Sequence, residues 1–225
     1  MEENPWLPFL FLAIQNPDND AIMSAVVLSQ LLNQVEYAGN TYEACALGAL
    51  PAESAKLLAD AGVAEPRQID SVEEGQLVLL TDHNESAQSV EGLKSATVFG
   101  VVDHHRIGDF ETAGPLHYLA FPWGSSCTIV TKVAQMLGIE LTDVQAKLLL
   151  SAMMTDTLML KSPTTTDVDR TVAAQLGEQV GVDPVKLWHG GLPYPSVRFL
   201  HCCRDGGQRH QDVRACWQEA PHRSV

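Results

Sequence analysis

Four apolar segments of the chain each end in a cluster of acidic or imidazole side chains. The apolar run 7–14 leads into Asn16-Pro17-Asp18-Asn19-Asp20, the run 76–80 into Asp82-His83-Asn84-Glu85, and the run 97–102 into Asp103-His104-His105. The fourth, 148–154, leads to Asp156. Continuous apolar runs of strand length, such as the first three, are typical of parallel strands buried on both faces. Because open α/β sheets bind ligands at the carboxyl ends of their strands, we expect the polar clusters to meet there.

The remaining pattern alternates strands with amphipathic helices and predicts an α/β fold, a mostly parallel sheet with helices on both faces. Two further strands are predicted at 42–47 and 116–120. Helices are predicted at 21–34, 53–61, 129–137, 144–154 and 168–180, with another beginning at 181–184. Asp20 is expected to cap the first helix, either Thr142 or Asp143 the fourth, and either Thr166 or Asp167 the fifth.

The composition limits the partners of the chain. The 225 residues carry a net charge of −14, so we expect neither a nucleic-acid duplex nor an anionic membrane as a partner. The first apolar run is too short to span a bilayer. Five cysteines with no CxxC pair fit a reducing cytoplasm better than a disulfide framework, and Cys127 is interpreted as a small buried residue.

Acidic and imidazole groups at several chain segments are what a cluster of divalent metal ions requires. For Asp18 and Asp20, simple turn and capping chemistry is an equal alternative. Asp156 is predicted near a helix C-terminus, where a carboxylate is unfavourable unless a cation compensates it, so it is a candidate ligand. The small residues 124–128 open a helix and are either an anion site or an ordinary Ser/Thr N-cap.

The C-terminal part of the sequence differs in character from the rest. Residues 189–225 contain three of the five cysteines, few acidic residues and little apolar periodicity. We therefore expect one domain at 1–188, followed by an atypical tail at 189–225 that is disordered or the product of an altered reading frame.

Taken together, these stretches resemble the DHH phosphoesterase superfamily, and most of all the manganese-dependent (family II) inorganic pyrophosphatases. The motifs that carry the resemblance are Asn16 to Asp20, Asp82-His83-Asn84-Glu85, Asp103-His104-His105, Gly124-Ser125-Ser126-Cys127-Thr128 and Ser151 to Thr157 leading into Lys161-Ser162-Pro163-Thr164. A lone Asp-His-His motif is weak evidence for the family, whereas all five motifs in this order are specific evidence. The resemblance runs from about residue 7 to residue 187.

The resemblance implies a hydrolase that splits pyrophosphate into two phosphates with two Mn²⁺ ions, or with Mg²⁺ or Co²⁺ in their place. Asp18 would bind one ion, Asp20 the other, and Asp82 would bridge them. His104 and Asp156 would complete the second ion's ligands. The implied catalytic groups are His105 beside the substrate, Asp82 and Asp103, the last orienting the histidines. A homodimer is also implied.

The sequence departs from the family pattern in two places. Ile14 stands where the family has a histidine ligand, and residues 189–225 do not resemble the family's C-terminal substrate-binding domain, which they would replace. Two alternatives therefore stand beside a pyrophosphatase impaired by these changes. One is another DHH phosphohydrolase acting on polyphosphate or short nucleotides, and the other is a catalytically degenerate metal-binding domain.

Overall fold

A computed structural model of the chain describes residues 8–184, which contain a six-stranded sheet. The strands are β1 Phe9–Gln15, β2 Tyr42–Leu47, β3 Arg67–Gln68, β4 Leu77–Thr81, β5 Thr97–Asp103 and β6 His117–Ala120. Their order is β3-β2-β1-β4-β5-β6, and every neighbouring pair is parallel. The carboxyl ends of β1, β4 and β5 therefore lie side by side at one edge of the sheet, and the predicted α/β class with a parallel sheet is confirmed.

Five α-helices accompany the strands: α1 Asn19–Gln34, α2 Ala52–Asp60, α3 Ser126–Leu137, α4 Asp143–Asp156 and α5 Asp167–Val180. Helices α1 and α3 contact the sheet, and α4 packs against α1, α3 and α5. Both alternatives left open for the N-caps are resolved in favour of threonine. Thr142 and Thr166 each form a capping box, with Gln145 and Asp169 respectively.

The other face of the sheet is covered by connecting segments. Leu10 and Leu12 of β1 and Val78 and Leu80 of β4 form a buried cluster with residues between the strands, among them Leu93 in a short 3-10 helix. Within the described residues, apolar side chains from connecting segments therefore close this half of the core, where the sequence predicted α-helices. The sheet is buried on both faces, as its apolar strands predict.

The predicted elements differ from the observed ones mainly at their ends. Strand β2 has the predicted bounds, and most other elements are shifted by one or two residues, although α3 begins three residues earlier than predicted. Strand β3 was not predicted, because only two residues pair and neither is buried. The predicted capping of α1 by Asp20 is wrong. Asp18 is the N-cap, and its Oδ1 accepts a hydrogen bond from the Ala21 N–H at 3.0 Å.

The predicted tail 189–225 and the predicted helix after residue 184 lie outside the described residues. Among the residues that the structure does describe, no helix is both long and apolar enough to cross a membrane. Cys45 and Cys127 are both buried and free, in agreement with the interpretation of Cys127 as a small core residue.

Candidate metal centre

The fold brings four candidate side chains to the carboxyl edge of the sheet. Asp20 lies in the first turn of α1, directly after β1, and Asp82 follows β4. His104 follows β5, and Asp156 is the last residue of α4. Asp82 has a φ of 63°, a left-handed conformation that a non-glycine residue adopts at a cost and that is found at functional sites.

His104 lies at the centre of this group. Its Nε2 is 3.3 Å from Asp82 Oδ1, 3.6 Å from Asp156 Oδ2 and 3.9 Å from Asp20 Oδ2. Its Nδ1 lies 3.0 Å from the carbonyl oxygen of Trp123, which can only accept a hydrogen bond. Nδ1 therefore carries a proton, and Nε2 is the nitrogen that faces the three carboxylates. Such a backbone contact commonly orients a metal-binding histidine.

His105 lies beside this centre and is half exposed, with 52% of its side chain accessible. Its Nδ1 is 2.8 Å from Asp103 Oδ1 and 3.8 Å from Asp82 Oδ1. The Asp103 carboxylate is fully buried, and its Oδ2 accepts a hydrogen bond from Asn84 Nδ2 at 2.5 Å. Asp103 thus contacts His105 directly, while about half of the His105 side chain stays accessible.

The start of α3 holds the Asp20 carboxylate. Asp20 accepts hydrogen bonds from the Ser125 hydroxyl at 2.5 Å, the Ser126 N–H at 2.6 Å and the Cys127 N–H at 3.0 Å. Ser125 also accepts from the Cys127 N–H as the N-cap. Both functions considered for this segment are therefore present, but the anion at the helix start is a side chain of the protein itself.

Asp18 is placed differently from the other candidate ligands. It is exposed, and its carboxylate caps α1. Within the described residues, two groups of three ligand atoms lie within 4.8 Å of one another: Asp20 with His104 and Asp156, and Asp82 with His104 and His105. Asp18 belongs to neither group.

The site carries more negative charge than the neighbouring side chains of the protein neutralise. Burial, and next the Asp20 carboxylate, raise the pKa of both Asp82 and Asp156 well above the ordinary value. Burial lowers the pKa of His104, but its contact with Asp82 and the charges of Asp82, Asp20 and Asp156 outweigh burial and raise it to about 11. A proton on His104 is therefore strongly held where a cation would be stabilised.

The donor set and one unpaired atom both fit a divalent cation. Asp156 Oδ2 is buried and has no hydrogen-bond partner within the part of the chain that the structure describes. A buried carboxylate oxygen without a partner is costly, and a metal ion would compensate it. Carboxylates with one imidazole suit Mn²⁺, Mg²⁺, Co²⁺ or Zn²⁺.

Several supporting groups were not identified from the sequence. The carbonyl of Trp123 carries no signal in the sequence, and the motif that contains Asn84 does not predict its contact with Asp103, because both contacts depend on the fold. Asp169 is fully buried and accepts hydrogen bonds from the Gly124 N–H at 2.9 Å and the Thr128 hydroxyl at 2.6 Å. The spacing of Thr166 and Asp169 predicts a capping box but not the contacts with the start of α3.

Comparison with known proteins identifies the class that this fold and site define. The family model described as DHH family, N-terminal domain, matches residues 10–159. The chain belongs to the DHH family.

The relatives within this family agree with the resemblance found in the motifs. Proteins of Streptococcus agalactiae serotype Ia and Lactobacillus helveticus, both named "probable manganese-dependent inorganic pyrophosphatase", are 46% and 47% identical over 171 and 170 residues. In each case the match covers 75% of this chain and 54% of the relative, so the chain spans about half the length of these relatives.

Two solved structures share the fold. A Methanococcus jannaschii protein assigned to the family II inorganic pyrophosphatases has a TM-score of 0.71 and 33% identity, covering 80% of this chain and 58% of its own. An exopolyphosphatase-related protein of Bacteroides fragilis has a TM-score of 0.62 and covers 85% of this chain and 58% of its own. At 15% identity the latter is similar in fold alone.

Proposed function

We propose that this chain is a manganese-dependent hydrolase of the inorganic pyrophosphatase type, which splits pyrophosphate into two phosphates. One observation carries the proposal: three carboxylates converge on His104 Nε2, and the buried Oδ2 of Asp156 has no hydrogen-bond partner within the described residues. The names of the relatives support manganese as the metal and pyrophosphate as the substrate.

Two ions are proposed, with Mg²⁺ or Co²⁺ as alternatives to Mn²⁺. Asp20, His104 and Asp156 would hold one ion, supported by the proximity of their ligand atoms. Asp18 would hold the other, and Asp82 would be shared between them. The ligand set of the second ion rests mainly on the family motif, since Asp18 lies outside both groups of neighbouring ligand atoms.

When bound, such ions would activate a water molecule and neutralise charge on the phosphoryl group. The chain's own contribution at the substrate side would come from His105. Burial lowers the pKa of His105, but the Asp103 carboxylate on Nδ1 outweighs burial and raises it. A protonated, half-exposed imidazole held by Asp103 would attract an anionic substrate and donate a hydrogen bond to a phosphate oxygen.

Ile14 favours a second candidate, a metal-binding domain without catalytic activity. It lies in β1 before the Asp18 loop, and its hydrocarbon side chain offers no ligand atom. Loss of a supporting metal contact costs about 10–100-fold in affinity or activity, and loss of a direct ligand can cost more. This candidate predicts Mn²⁺ binding without turnover of pyrophosphate.

We also propose the domain bounds, the location and the partners that the sequence predicts. A DHH-type domain at 1–188 is supported by the matched range 10–159, whereas the tail 189–225 lies outside the described residues. A cytoplasmic location is supported by the free, buried Cys45 and Cys127. The net charge of −14 speaks against nucleic-acid duplexes and anionic membranes as partners, and a homodimer rests on the family resemblance alone.

The test is phosphate release from pyrophosphate by purified protein of residues 1–225 in the presence of Mn²⁺. Wild-type protein should release phosphate, and Asp82→Ala should abolish the release. Asp60→Ala, which removes an exposed carboxylate of the Lys56 ion pair, is the matched control and should leave the release unchanged.

The same assay separates the alternatives. Polyphosphate or short nucleotides hydrolysed in preference to pyrophosphate would indicate another DHH phosphohydrolase. Folded wild-type protein that binds Mn²⁺ but hydrolyses none of these substrates would overturn the proposed activity and indicate the metal-binding domain.

A further inference from the structure

Ser126 contacts two of the candidate metal-binding carboxylates at once. Its backbone N–H donates to Asp20 Oδ2 at 2.6 Å, and its hydroxyl donates to Asp82 Oδ1 at 3.0 Å. All three residues are buried, with relative exposures of 0%, 1% and 3% for Ser126, Asp20 and Asp82. Asp20 and Asp82 come from different elements, α1 and the end of β4, and Ser126 links them.

We propose that Ser126 is a positioning residue that fixes Asp20 and Asp82 relative to each other and thereby determines the affinity for metal. The inference rests on the proposed function, because it assumes that both carboxylates bind metal. Ser126 is not a catalytic residue in this account, since it acts through the carboxylates.

The oxygen that Ser126 contacts is the one that faces the histidines. Asp82 Oδ1 lies 3.3 Å from His104 Nε2 and 3.8 Å from His105 Nδ1. Rotation of the Asp82 carboxylate would move this oxygen away from both imidazoles. Because the Ser126 hydroxyl donates to the same atom, it opposes that rotation.

The Ser126 hydroxyl is not needed to begin the helix. The preceding residue, Ser125, is the N-cap of α3, and its side chain accepts from the Cys127 N–H. Ser126 is the first helical residue, a position with no requirement for a hydroxyl. The contact with Asp82 is therefore separate from helix capping.

The segment that contains Ser126 is itself held in place by hydrogen bonds before and after Ser126. Asp169 in α5 accepts hydrogen bonds from the Gly124 N–H and the Thr128 hydroxyl, on either side of Ser126 along the chain. A Cβ added at Gly124 would lie 2.8 Å from Thr157 Cγ2, so the chain is closely packed here. A donor on such a segment can impose a fixed geometry on two side chains instead of following their motion.

The test is calorimetric titration of Mn²⁺ into the full chain. Ser126→Ala removes the donor to Asp82 and keeps the N–H to Asp20, and we expect about 10–100-fold weaker binding. Ser126→Pro removes both donors at a helical position that accepts proline, and we expect a larger loss. The control is Ser29→Ala, because Ser29 is buried and its hydroxyl donates to the Val26 carbonyl of its own helix.

A purely structural role predicts a different result. If Ser126 is a positioning residue, melting temperatures in the presence of a chelator should fall by similar amounts in Ser126→Ala and Ser29→Ala, whereas only Ser126→Ala should lose Mn²⁺ affinity. Equal Mn²⁺ affinity of wild type and Ser126→Ala would overturn the inference and leave the proposed function intact. No Mn²⁺ binding by the folded wild-type protein would overturn both.

Discussion

At the scale of single residues, the Asp156 carboxylate destabilises the metal-free fold, and this points to its function. It lies partly buried at the C-terminus of α4, where the helix dipole disfavours a negative charge, and its buried Oδ2 has no hydrogen-bond partner within the described residues. Burial and the nearby Asp20 carboxylate raise the pKa of Asp156 well above its ordinary value. In the folded protein without metal, the ionised carboxylate is therefore destabilising near neutral pH.

Replacing this carboxylate should separate stability from metal binding. Asp156→Asn should increase the free energy of unfolding of the metal-free protein by about 1 kcal/mol, or raise Tm by about 2–4 °C, and should weaken Mn²⁺ binding. Asp143→Asn places the same change at the N-terminus of the same helix, where the negative charge is favourable, and should lower Tm slightly. A lower Tm for Asp156→Asn in chelator would contradict this account.

His104 should make Mn²⁺ binding depend on pH. Although burial lowers the pKa of His104, the Asp82 contact raises it to about 11, so the metal-free protein holds a proton there at pH 6–8. Mn²⁺ must displace that proton, so affinity should rise with pH, by about tenfold per pH unit for each proton released. Titration calorimetry in two buffers of different ionisation enthalpy measures the protons released.

The control for this experiment is a histidine outside the centre. His117 lies on β6 and is exposed, so His117→Gln should retain the proton release, whereas His104→Gln should lose it together with most of the affinity. Mn²⁺ binding by the wild-type protein that is independent of both pH and buffer would show that the metal does not displace a proton from His104.

At the element scale, α5 supports the centre although it lies outside the matched family range. Asp169 joins the first turn of α5 to the start of α3, and the start of α3 in turn holds Asp20. The Asp169 carboxylate also accepts from the N–H and hydroxyl of Thr166. Four donors thus converge on one buried carboxylate.

Asp169→Asn should disturb both α5 and the centre. The amide presents an N–H group to donors that need acceptors, so we expect a loss of about 1–3 kcal/mol in the free energy of unfolding by urea, together with weaker Mn²⁺ binding. Asp167→Asn, in the same turn but exposed, should change both quantities little. Equal stability of the two variants would contradict the supporting function of Asp169.

The elements that the sequence predicts well are those defined by local patterns. Strand β2 lies between turn residues and has the predicted bounds, and Gly138 ends α3 with a φ of 68°, as expected of a helix-terminating glycine. Strand β3 has no such pattern, because its two exposed residues are defined only by pairing with β2.

The contacts that could not be predicted are those made across the fold. The Asp-x-Asp pattern before α1 does not reveal which aspartate caps the helix, since the true partner of Asp20 is the start of α3, more than a hundred residues later. Motif resemblance, by contrast, includes all of the residues whose ligand atoms lie close together at the centre, although it also includes Asp18, whose ligand atoms do not. It carries information about the fold that single residues lack.

At the scale of the whole molecule, the centre joins β1, β4 and β5, the helices α1 and α4, and, through Ser125 and Ser126, α3. Carboxylates from separate elements repel one another until a cation binds, so metal binding and the stability of the fold are linked. A ligand present at 100 times its Kd adds about 2.7 kcal/mol to the free energy of unfolding. A bound metal ion would therefore stabilise this fold.

The most direct test of the central claim, that this edge of the sheet is a metal centre, is Mn²⁺ titration followed by the EPR signal of the free ion. Wild-type protein is predicted to bind two ions per chain and to suppress that signal until both sites are filled. Asp82→Asn, which alters the ligand proposed to be shared, should bind less Mn²⁺. A free-ion signal that rises from the first addition with folded wild-type protein would contradict the account.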